Sequence, residues 1–462
     1  MIRRCAAAAL LMLPGAALAQ SGGDATVAQT NLRYDEDWAS LRDAPHRNAD
    51  WWQRLKDRPL DADGDVRLTL GAEARARFEA FRDNLWGQPP APDDGYLWLR
   101  FMPLADLRAG PVRAFIQGIA ARANGVGAGA GPADTTGIDV LQAFADVRLP
   151  LGSRATVTLR GGRELVALGS ERLVGLRYGP NVPQAFDGLR GMLDIGSARI
   201  EAFDFRPVAV GPGNFDDRSS PTRALHGVYA TLPLAAGAKA DLYWLRYENK
   251  LARFHEVTGQ ERRDTFGVRL WGRSGALAWN WEAMLQRGRF EGEPIRAWSI
   301  ASETSYAWPQ LRFAPRLRLR ANIASGDHDP ADHVLGTFNA MFPKGKYFGE
   351  LSPIGPRNIV NLHPSLDFDL GGGVTAEIVG IAYWLASRGD GIYDVPGQLI
   401  RSAGTSRARH IGNQLEASVS WQATTTLSFS ASASLFSAGR FLRETGPANP
   451  IHMIAGEAML RF

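Results

Sequence analysis

Residues 66–79 of the chain read VRLTLGAEARARFE. Apolar side chains from Val66 to Phe78 occupy the even positions, and the charged residues, from Arg67 to Glu79, occupy odd ones. A period of two over this length predicts a β-strand much longer than the usual strand of about 5 to 6 residues. Roughly 9 to 11 tilted residues cross a membrane, and such a strand needs a closed barrel because lipid satisfies no backbone N–H or C=O.

The same alternation recurs to the end of the chain. Residues 311–323 alternate apolar side chains with arginine and asparagine, residues 427–435 alternate them with serine, and the last strand ends at Phe462. The terminal aromatic residue resembles the signal by which the barrel-assembly machinery recognises outer-membrane barrels. Further strands are predicted at 96–104, 112–122, 139–149, 155–163, 189–195, 198–205, 225–232, 240–247, 265–272, 276–287, 295–306, 374–386 and 413–422.

With allowance for missed strands, the total is roughly 16 to 18, an even number as such barrels prefer. The sequence therefore predicts an all-β fold, an antiparallel up-and-down transmembrane β-barrel. Short connections such as PLGS alternate with long ones such as NGVGAGAGPADTTG, which indicates short periplasmic turns and long extracellular loops.

The amino terminus carries an export signal. Arg3 and Arg4 precede a short apolar run, and Ala17-Leu18-Ala19 provides a cleavage site before Gln20. We therefore predict a signal peptide at 1–19, a periplasmic amino-terminal segment at 20–64 whose tryptophans pack at the barrel rim, and a barrel at 65–462. The single cysteine, Cys5, leaves with the signal, so the mature chain has no disulfide or thiolate site.

The charge of the mature chain is almost balanced. Removing two signal arginines leaves 50 of the 52 basic residues against 48 acidic ones, and only five of the basic residues are lysine. Arginine binds carboxylates through a fixed fork of donors and stays charged, although a GC-rich genome would enrich it equally well. A barrel of this size holds an aqueous channel, and an arginine lining favours anions.

Three blocks of sequence resemble one known family. They are GGRELVALGSERLVGLRYGPNVPQAFDGLR at 161–190, the segments SGDHDPADHVLGTFNAMFPKGKYFGE, GPRNIVNLHPSL and DGIYDVPG within 325–397, and FSAGRFLRETGP at 436–447. They are similar to the alginate export outer-membrane porins. The resemblance implies an 18-stranded monomeric barrel in the outer membrane of a Gram-negative bacterium, which exports a polyuronate through an arginine-rich constriction.

The residues that the resemblance assigns to the substrate conduit lie in or near these blocks. An arginine in such a strand is equally well explained as an ion-pair partner that braces the wall. The first block supplies Arg163, Glu164, Arg172, Arg177 and Arg190, and the candidates in or near the later blocks are Arg320, Arg388, Arg440 and Arg443.

One acidic cluster is a candidate metal site. Asp327, Asp329 and Asp332 lie close together in a loop and could hold calcium through oxygen ligands, although their spacing matches no EF-hand. The alternative is a solvated turn in which the carboxylates accept backbone hydrogen bonds. No other cofactor is expected.

Two functions fit these observations. The first is export of an anionic polysaccharide such as an alginate-like polyuronate, and the alternative is a general anion-selective uptake porin for sugar acids or organic acids. No nucleophile and base form a recognisable arrangement, so we do not expect an enzyme. The expected partners are the anionic polysaccharide or small anions, outer-membrane lipid and the barrel-assembly machinery, with no nucleic acid.

Overall fold

The computed structural model describes residues 29–42, 50–89, 93–126, 129–235, 237–254 and 257–462. The predicted signal peptide lies outside these residues. The barrel strands are β1 (Val66–Arg82), β2 (Asp94–Ala109), β3 (Val112–Asn124), β4 (Thr136–Leu151), β5 (Ala155–Leu165), β6 (Ala185–Ile195), β7 (Ala198–Ala209), β8 (Arg223–Pro233), β9 (Ala238–Phe254), β10 (Val257–Ser274), β11 (Leu277–Phe290), β12 (Glu293–Ala307), β13 (Arg316–Ala324), β14 (Ile359–Gly371), β15 (Val374–Leu385), β16 (His410–Gln422), β17 (Leu427–Ala438) and β18 (Ile451–Arg461).

The barrel closes between its first and last strands. Each strand is antiparallel to its neighbours, and β1 pairs with β2 on one edge and with β18 on the other. Glu73 lies directly opposite Arg461 across this seam. Closure leaves no unpaired edge, as a membrane-spanning sheet requires, and the predicted barrel of about 18 strands is confirmed.

The two faces of β1 lie as its alternating sequence predicted, with the charged face toward the lumen and the apolar face toward lipid. Glu73, Arg75 and Arg77 are buried inside the barrel, whereas Leu70 and Phe78 are 40% and 46% exposed on the outer face. The fold is therefore inverted relative to a soluble protein, with apolar side chains outside and charged side chains inside. Among the described residues, no helix is long and apolar enough to cross a membrane.

The two ends of the barrel differ in their connections. Seven of the eight connections at the end where β1 starts and β18 finishes, the turn end, are two to four residues long. The opposite, loop end carries the long connections, but those after β9 and β11 have only two residues each. The strand predicted from residue 311 begins only at Arg316, because residues 309–315 form a turn in which Phe313 has φ 66°.

Two long connections fold into the barrel instead of outward. We call residues 166–184 inner loop 1 and residues 325–358 inner loop 2. They pair through backbone hydrogen bonds from Gly175 N to Phe342 O at 2.8 Å and from Phe342 N to Leu173 O at 2.9 Å. Val174 and Phe342 are fully buried at this contact. Their apolar side chains supply the hydrophobic contact that keeps the two loops inside the lumen.

Residues 29–42 enter the turn end of the barrel. Tyr34 is buried against inward-facing aromatic residues of β3 and β4, and its hydroxyl donates to the Leu165 carbonyl at 2.8 Å. Arg33 donates to the Phe462 carbonyl at 2.8 Å. Trp51 packs against the Phe462 ring, with the ring centres 4.9 Å apart, as predicted for tryptophans at the rim.

Candidate substrate conduit

A cavity of about 330 Å³ lies between the two inner loops and the barrel wall. One side of its lining comes from the loops and the other from inward-facing residues of β8 to β14. The lining combines cations, carboxylates, amides and aromatic rings, and it includes Ser170, Arg172, Tyr229, Asp241, Arg269, Trp271, Asn280, Glu303, Arg320, Asn322, Lys344, Tyr347, Phe348 and His363.

The arginines of the cavity are held by carboxylates. Two of these arginines, Arg172 and Arg320, were assigned to the conduit from the sequence. They are far apart in the chain, and the structure places both in the lining of this cavity. The closest N···O distances are 3.2 Å from Arg172 to Glu282, 2.7 Å from Arg269 to Asp241 and 2.8 Å from Arg320 to Glu303.

Lys344 differs from these arginines, and the sequence interpretation missed it. Within the described residues, its ammonium group has no carboxylate oxygen within 4 Å, and it lies 5.9 Å from the centre of the Tyr347 ring. Burial and the charge of Arg320 lower the pKa of Lys344 to about 7. An anion in the cavity would supply the missing partner and stabilise the protonated form.

Two polar atoms of β14 also lack partners. Nδ1 of His363 and Nδ2 of Asn361 are buried, and neither makes a hydrogen bond within the described part of the chain. His363 lines the cavity directly opposite Arg320 in the sheet register. Buried polar atoms are normally hydrogen-bonded, so this wall retains capacity for water or a hydroxylated solute.

Arg177 and Arg223 form a second cationic pair. Arg177 belongs to inner loop 1, and burial together with the nearby charge of Arg223 lowers its pKa. The Arg223 guanidinium lies 5.9 Å from the Phe342 ring centre. In the described residues neither side chain makes a hydrogen bond or ion pair. Arg177 has φ 51°, a left-handed backbone that costs free energy in a non-glycine residue and is maintained only by its surroundings.

Inner loop 1 is anchored to the seam of the barrel. Glu73 accepts hydrogen bonds from Arg100 at 2.7 Å, from Arg461 at 2.8 Å and from the Tyr178 hydroxyl. Arg75 donates to the backbone carbonyls of residues 178–180 at 2.8 to 3.1 Å. The charged face of β1, which the sequence suggested as a water-filled lining, therefore holds a loop.

Inner loop 2 is anchored next to it by a second charged group. Lys346 binds Glu79 at 2.7 Å and Glu350 at 2.8 Å. Arg77 binds Glu350 at 2.5 Å and Glu457 at 3.2 Å. Together the two anchors fix both loops on the inner wall and leave the cavity on the opposite side of the lumen.

Glu164 and Arg190 lie inside the barrel but serve as wall ion pairs. Glu164 accepts from Arg160 at 2.9 Å and from Arg190 at 3.0 Å, and Arg190 also donates to Glu201 at 3.1 Å. The Arg160 guanidinium lies 4.4 Å from the Tyr34 ring centre, so the amino-terminal segment covers this network. The bracing role that the sequence left open fits both residues.

Arg163 lies on the opposite side of the wall, contrary to its assignment to the conduit. Its register in β5 places it on the face of Leu159, which is 52% exposed, and not on the face of Glu164. Both of its nitrogen contacts to Asp187, at 2.7 and 3.1 Å, are on this outer face. One residue of register separates an outer surface residue from a lumenal one.

Arg388, Arg440 and Arg443, which the sequence also assigned to the conduit, lie outside the cavity. Arg388 is exposed in the connection 386–409. Arg440 and Arg443 are exposed on a short helix, α1 (Arg440–Thr445), where Arg440 binds Glu444 at 2.5 Å. The helix buries Phe441 and Leu442 between its arginines, which turns both arginines toward solvent.

The carboxylates of the predicted calcium cluster accept hydrogen bonds from the chain itself. Asp327, Asp329 and Asp332 each bind the backbone N–H two residues later, at 3.2, 3.0 and 2.8 Å. These contacts are the turn geometry of the alternative interpretation, and the calcium site stays a prediction. In the described residues, a different group of three carboxylates, Asp139, Asp216 and Asp217, has oxygens that all lie within 4.8 Å of one another.

A closed 18-stranded barrel with an apolar outer face and a charged lumen is the architecture of an outer-membrane channel. Residues 66–454 match the family model described as alginate export. The chain belongs to the alginate export family and is located in the outer membrane of a Gram-negative bacterium. Its turn end is periplasmic and its loop end is extracellular.

Solved structures with this fold are outer-membrane porins. The chain resembles Pseudomonas aeruginosa OccK2 (OpdF) in complex with glucuronate, with a TM-score of 0.58 and 13% identity over 86% of this chain and 98% of that chain. The chain also resembles Acinetobacter baumannii OccAB1, with a TM-score of 0.57 and 11% identity over 88% of this chain and 99% of that chain. It likewise resembles P. aeruginosa OpdK with vanillate, with a TM-score of 0.55 and 12% identity over 85% of this chain and 99% of that chain. No curated protein matches the sequence.

Proposed function

We propose that the protein is a passive conduit for carboxylated saccharides, with a polyuronate chain of the alginate type as its substrate. The observation that carries this proposal is Lys344, the cavity-lining cation without a carboxylate partner in the described residues. A uronate carboxylate would complete that site. Arg177 and Arg223, which have no carboxylate partner in the described residues, provide a second position for an anion between inner loop 1 and the neighbouring wall.

The rest of the lining suits a sugar acid. Tyr347 offers an aromatic ring to a pyranose, and His363 offers a free polar atom to a hydroxyl. Carboxylates such as Glu303 neutralise the arginines and weaken the hold on any one anion. Transport requires binding that is favourable enough for entry and weak enough for release.

The alternative is uptake of small organic anions. Its support is the size of the cavity, because about 330 Å³ lies at the lower end of the range of roughly 300 to 1,000 Å³ for ligand pockets. Structures of similar fold contain glucuronate and vanillate, which are both small carboxylates. A cavity that accepts one such anion suits either a monomeric solute or a polymer that passes one unit at a time.

The proposal includes several finer points. The conduit works without catalysis, and the barrel is a monomer that the barrel-assembly machinery inserts. Residues 20–64 form the periplasmic segment of the mature chain. Closure of the sheet supports a monomer, because β1 and β18 satisfy each other and need no second copy.

The proposal is tested by single-channel conductance of the refolded mature chain in planar bilayers. Oligomannuronate, glucuronate and a neutral oligosaccharide of matched size are titrated against the native protein and the Lys344→Gln variant. Arg440→Gln serves as the control, since Arg440 is exposed on α1.

A polyuronate conduit requires that oligomannuronate blocks the current at far lower concentration than the neutral sugar, and that Lys344→Gln removes most of this preference. Equal block by glucuronate and oligomannuronate per carboxylate would favour the small-anion porin. Equal block by charged and neutral sugars would contradict both functions.

A further inference from the structure

The outer faces of four adjacent strands, β9 to β12, carry a layered pattern. Residues opposite each other in the sheet register form rows that cross all four strands. The apolar row consists of Trp244, Phe266, Leu285 and Trp298. The first charged row lies two positions closer to the extracellular end and consists of Arg246, Asp264, Arg287 and Arg296. The second charged row lies two positions further in the same direction and consists of Glu248, Arg262 and Arg289.

Both charged rows place arginines directly opposite each other. Arg287 faces Arg296 across β11 and β12, and Arg262 faces Arg289 across β10 and β11. Directly opposed residues have Cβ atoms about 4.5 to 5.5 Å apart, and like charges at that distance destabilise a sheet. Two such pairs in neighbouring rows indicate that this surface binds an anion, which would offset the repulsion.

The two nearby carboxylates neutralise these pairs only in part. Asp264 is bound by Arg246 through contacts of 2.9 and 3.1 Å, and Glu248 lies 3.8 Å from Arg262. Within the described residues, Arg296 makes no side-chain hydrogen bond or ion pair. The two rows hold five arginines and two carboxylates.

The remaining arginine contacts are to backbone only. Arg287 donates to the Gln286 carbonyl at 2.9 Å and Arg289 donates to the Gly292 carbonyl at 2.7 Å. These contacts hold the two guanidinium groups near the extracellular end of β11 and leave their positive charges unneutralised. Each guanidinium keeps further N–H donors for an anion.

An apolar groove of about 720 Å³ lies directly beside the charged rows. Its lining contains the whole apolar row and the next row toward the periplasm, with Leu242, Val268 and Ile300. The tryptophans at Trp244 and Trp298 lie at the boundary between the groove and the arginines, the level at which interfacial aromatic residues are found.

We propose that this face binds a phosphorylated glycolipid of the outer leaflet, with lipid A phosphates between the opposed arginines and acyl chains in the groove. Arginine binds phosphate bidentately, so one phosphate can satisfy Arg287 and Arg296 and remove their repulsion. The charged rows are at the extracellular end, and the connections after β9 and β11 are too short to cover them. The proposal is independent of the solute that the lumen carries.

The test measures lipid A binding to the refolded mature chain in neutral detergent. The probes are diphosphoryl hexa-acyl lipid A and its dephosphorylated form, with bound lipid counted by native mass spectrometry. The variant is Arg287→Gln combined with Arg296→Gln. The matched control is Arg122→Gln combined with Arg206→Gln, because these arginines are also exposed near the extracellular end but face Leu99 and Asp187.

We expect the native protein to prefer diphosphoryl lipid A, and the double variant to bind it at least about tenfold more weakly than the native protein or the control does. Without lipid A the double variant should be at least as thermally stable as the native protein, because the repulsion is removed, which separates lost binding from misfolding. Equal binding of the two lipids, equal loss in the control, or a dimer that the double variant disrupts would overturn the proposal.

Discussion

Arg461 on the last strand donates two hydrogen bonds to Glu73 on the first strand, with N···O distances of 2.8 and 3.0 Å. The two residues lie opposite each other at the seam where the barrel closes. Because Glu73 also accepts from the hydroxyl of Tyr178, the same carboxylate ties inner loop 1 to the seam. Barrel closure and narrowing of the lumen therefore share one buried charge.

Replacing Glu73 should destabilise the barrel. Glu73→Gln leaves Arg100 and Arg461 buried without their counter-charge, and breaking a buried ion pair costs about 3 to 5 kcal/mol. Loss of the folded, heat-modifiable band in gel electrophoresis at a lower temperature would report this cost. Glu444→Gln, on exposed α1, is the control and should melt as the native protein does.

The block by oligomannuronate should depend on pH through Lys344. Its pKa is lowered to about 7, so the ammonium group is charged below that pH and loses its charge above it. Block should therefore be strong at about pH 6 and weaken by about pH 9, with the midpoint above 7 when the anion is bound. Lys344→Arg should remove the pH dependence, because arginine stays charged; a dependence that persists in this variant would assign it to another group.

The Arg177→Gly variant should separate stability from selectivity. Glycine adopts φ 51° without strain, and the left-handed backbone costs about 1 to 2 kcal/mol in other residues. We expect a melting temperature that is equal or higher, together with a reversal potential shifted toward lower anion selectivity. Unchanged selectivity would remove Arg177 from the conduit.

Removing the Tyr34 ring from the lumen should raise the conductance. Residues 29–42 contribute Tyr34 to the periplasmic end of the lumen, where its hydroxyl donates to Leu165. Tyr34→Ala removes this ring, so the conductance should rise, and Trp51→Ala, at a residue that is 60% exposed, should leave it unchanged. An unaltered conductance in Tyr34→Ala would mean that ions pass beside the segment.

Arg163→Ala should leave block by oligomannuronate unchanged, because the side chain lies on the outer face with Asp187. Arg190→Ala should instead reduce thermal stability, since it leaves Glu164 and Glu201 with less positive charge in a buried network. A loss of block in Arg163→Ala without a change in stability would contradict the assignment of this residue to the outer wall.

Only part of the candidate site could be predicted from sequence. Arg172 and Arg320 were identified and share one cavity, but Lys344 was missed although it lies in the quoted block FPKGKYFGE. A signal was available, because two of the five lysines in the chain, Lys344 and Lys346, lie in that block. Their contrasting environments, one ion-paired and one not, depend on where inner loop 2 rests.

The sequence by itself determined the strands and the closed barrel, because a period of two is a local feature, and its three motif blocks indicated the family and with it the outer membrane. Only the tertiary structure decided which arginines serve the lumen. The contacts of Arg75 with inner loop 1 join residues that are 103 to 105 positions apart in the chain. Arg163 and Glu164 are adjacent in the chain but lie on opposite faces of β5. Lumenal charge pairs form between neighbouring strands and with the infolded loops, so their partners are set by register and loop position, which alternation along one strand does not specify.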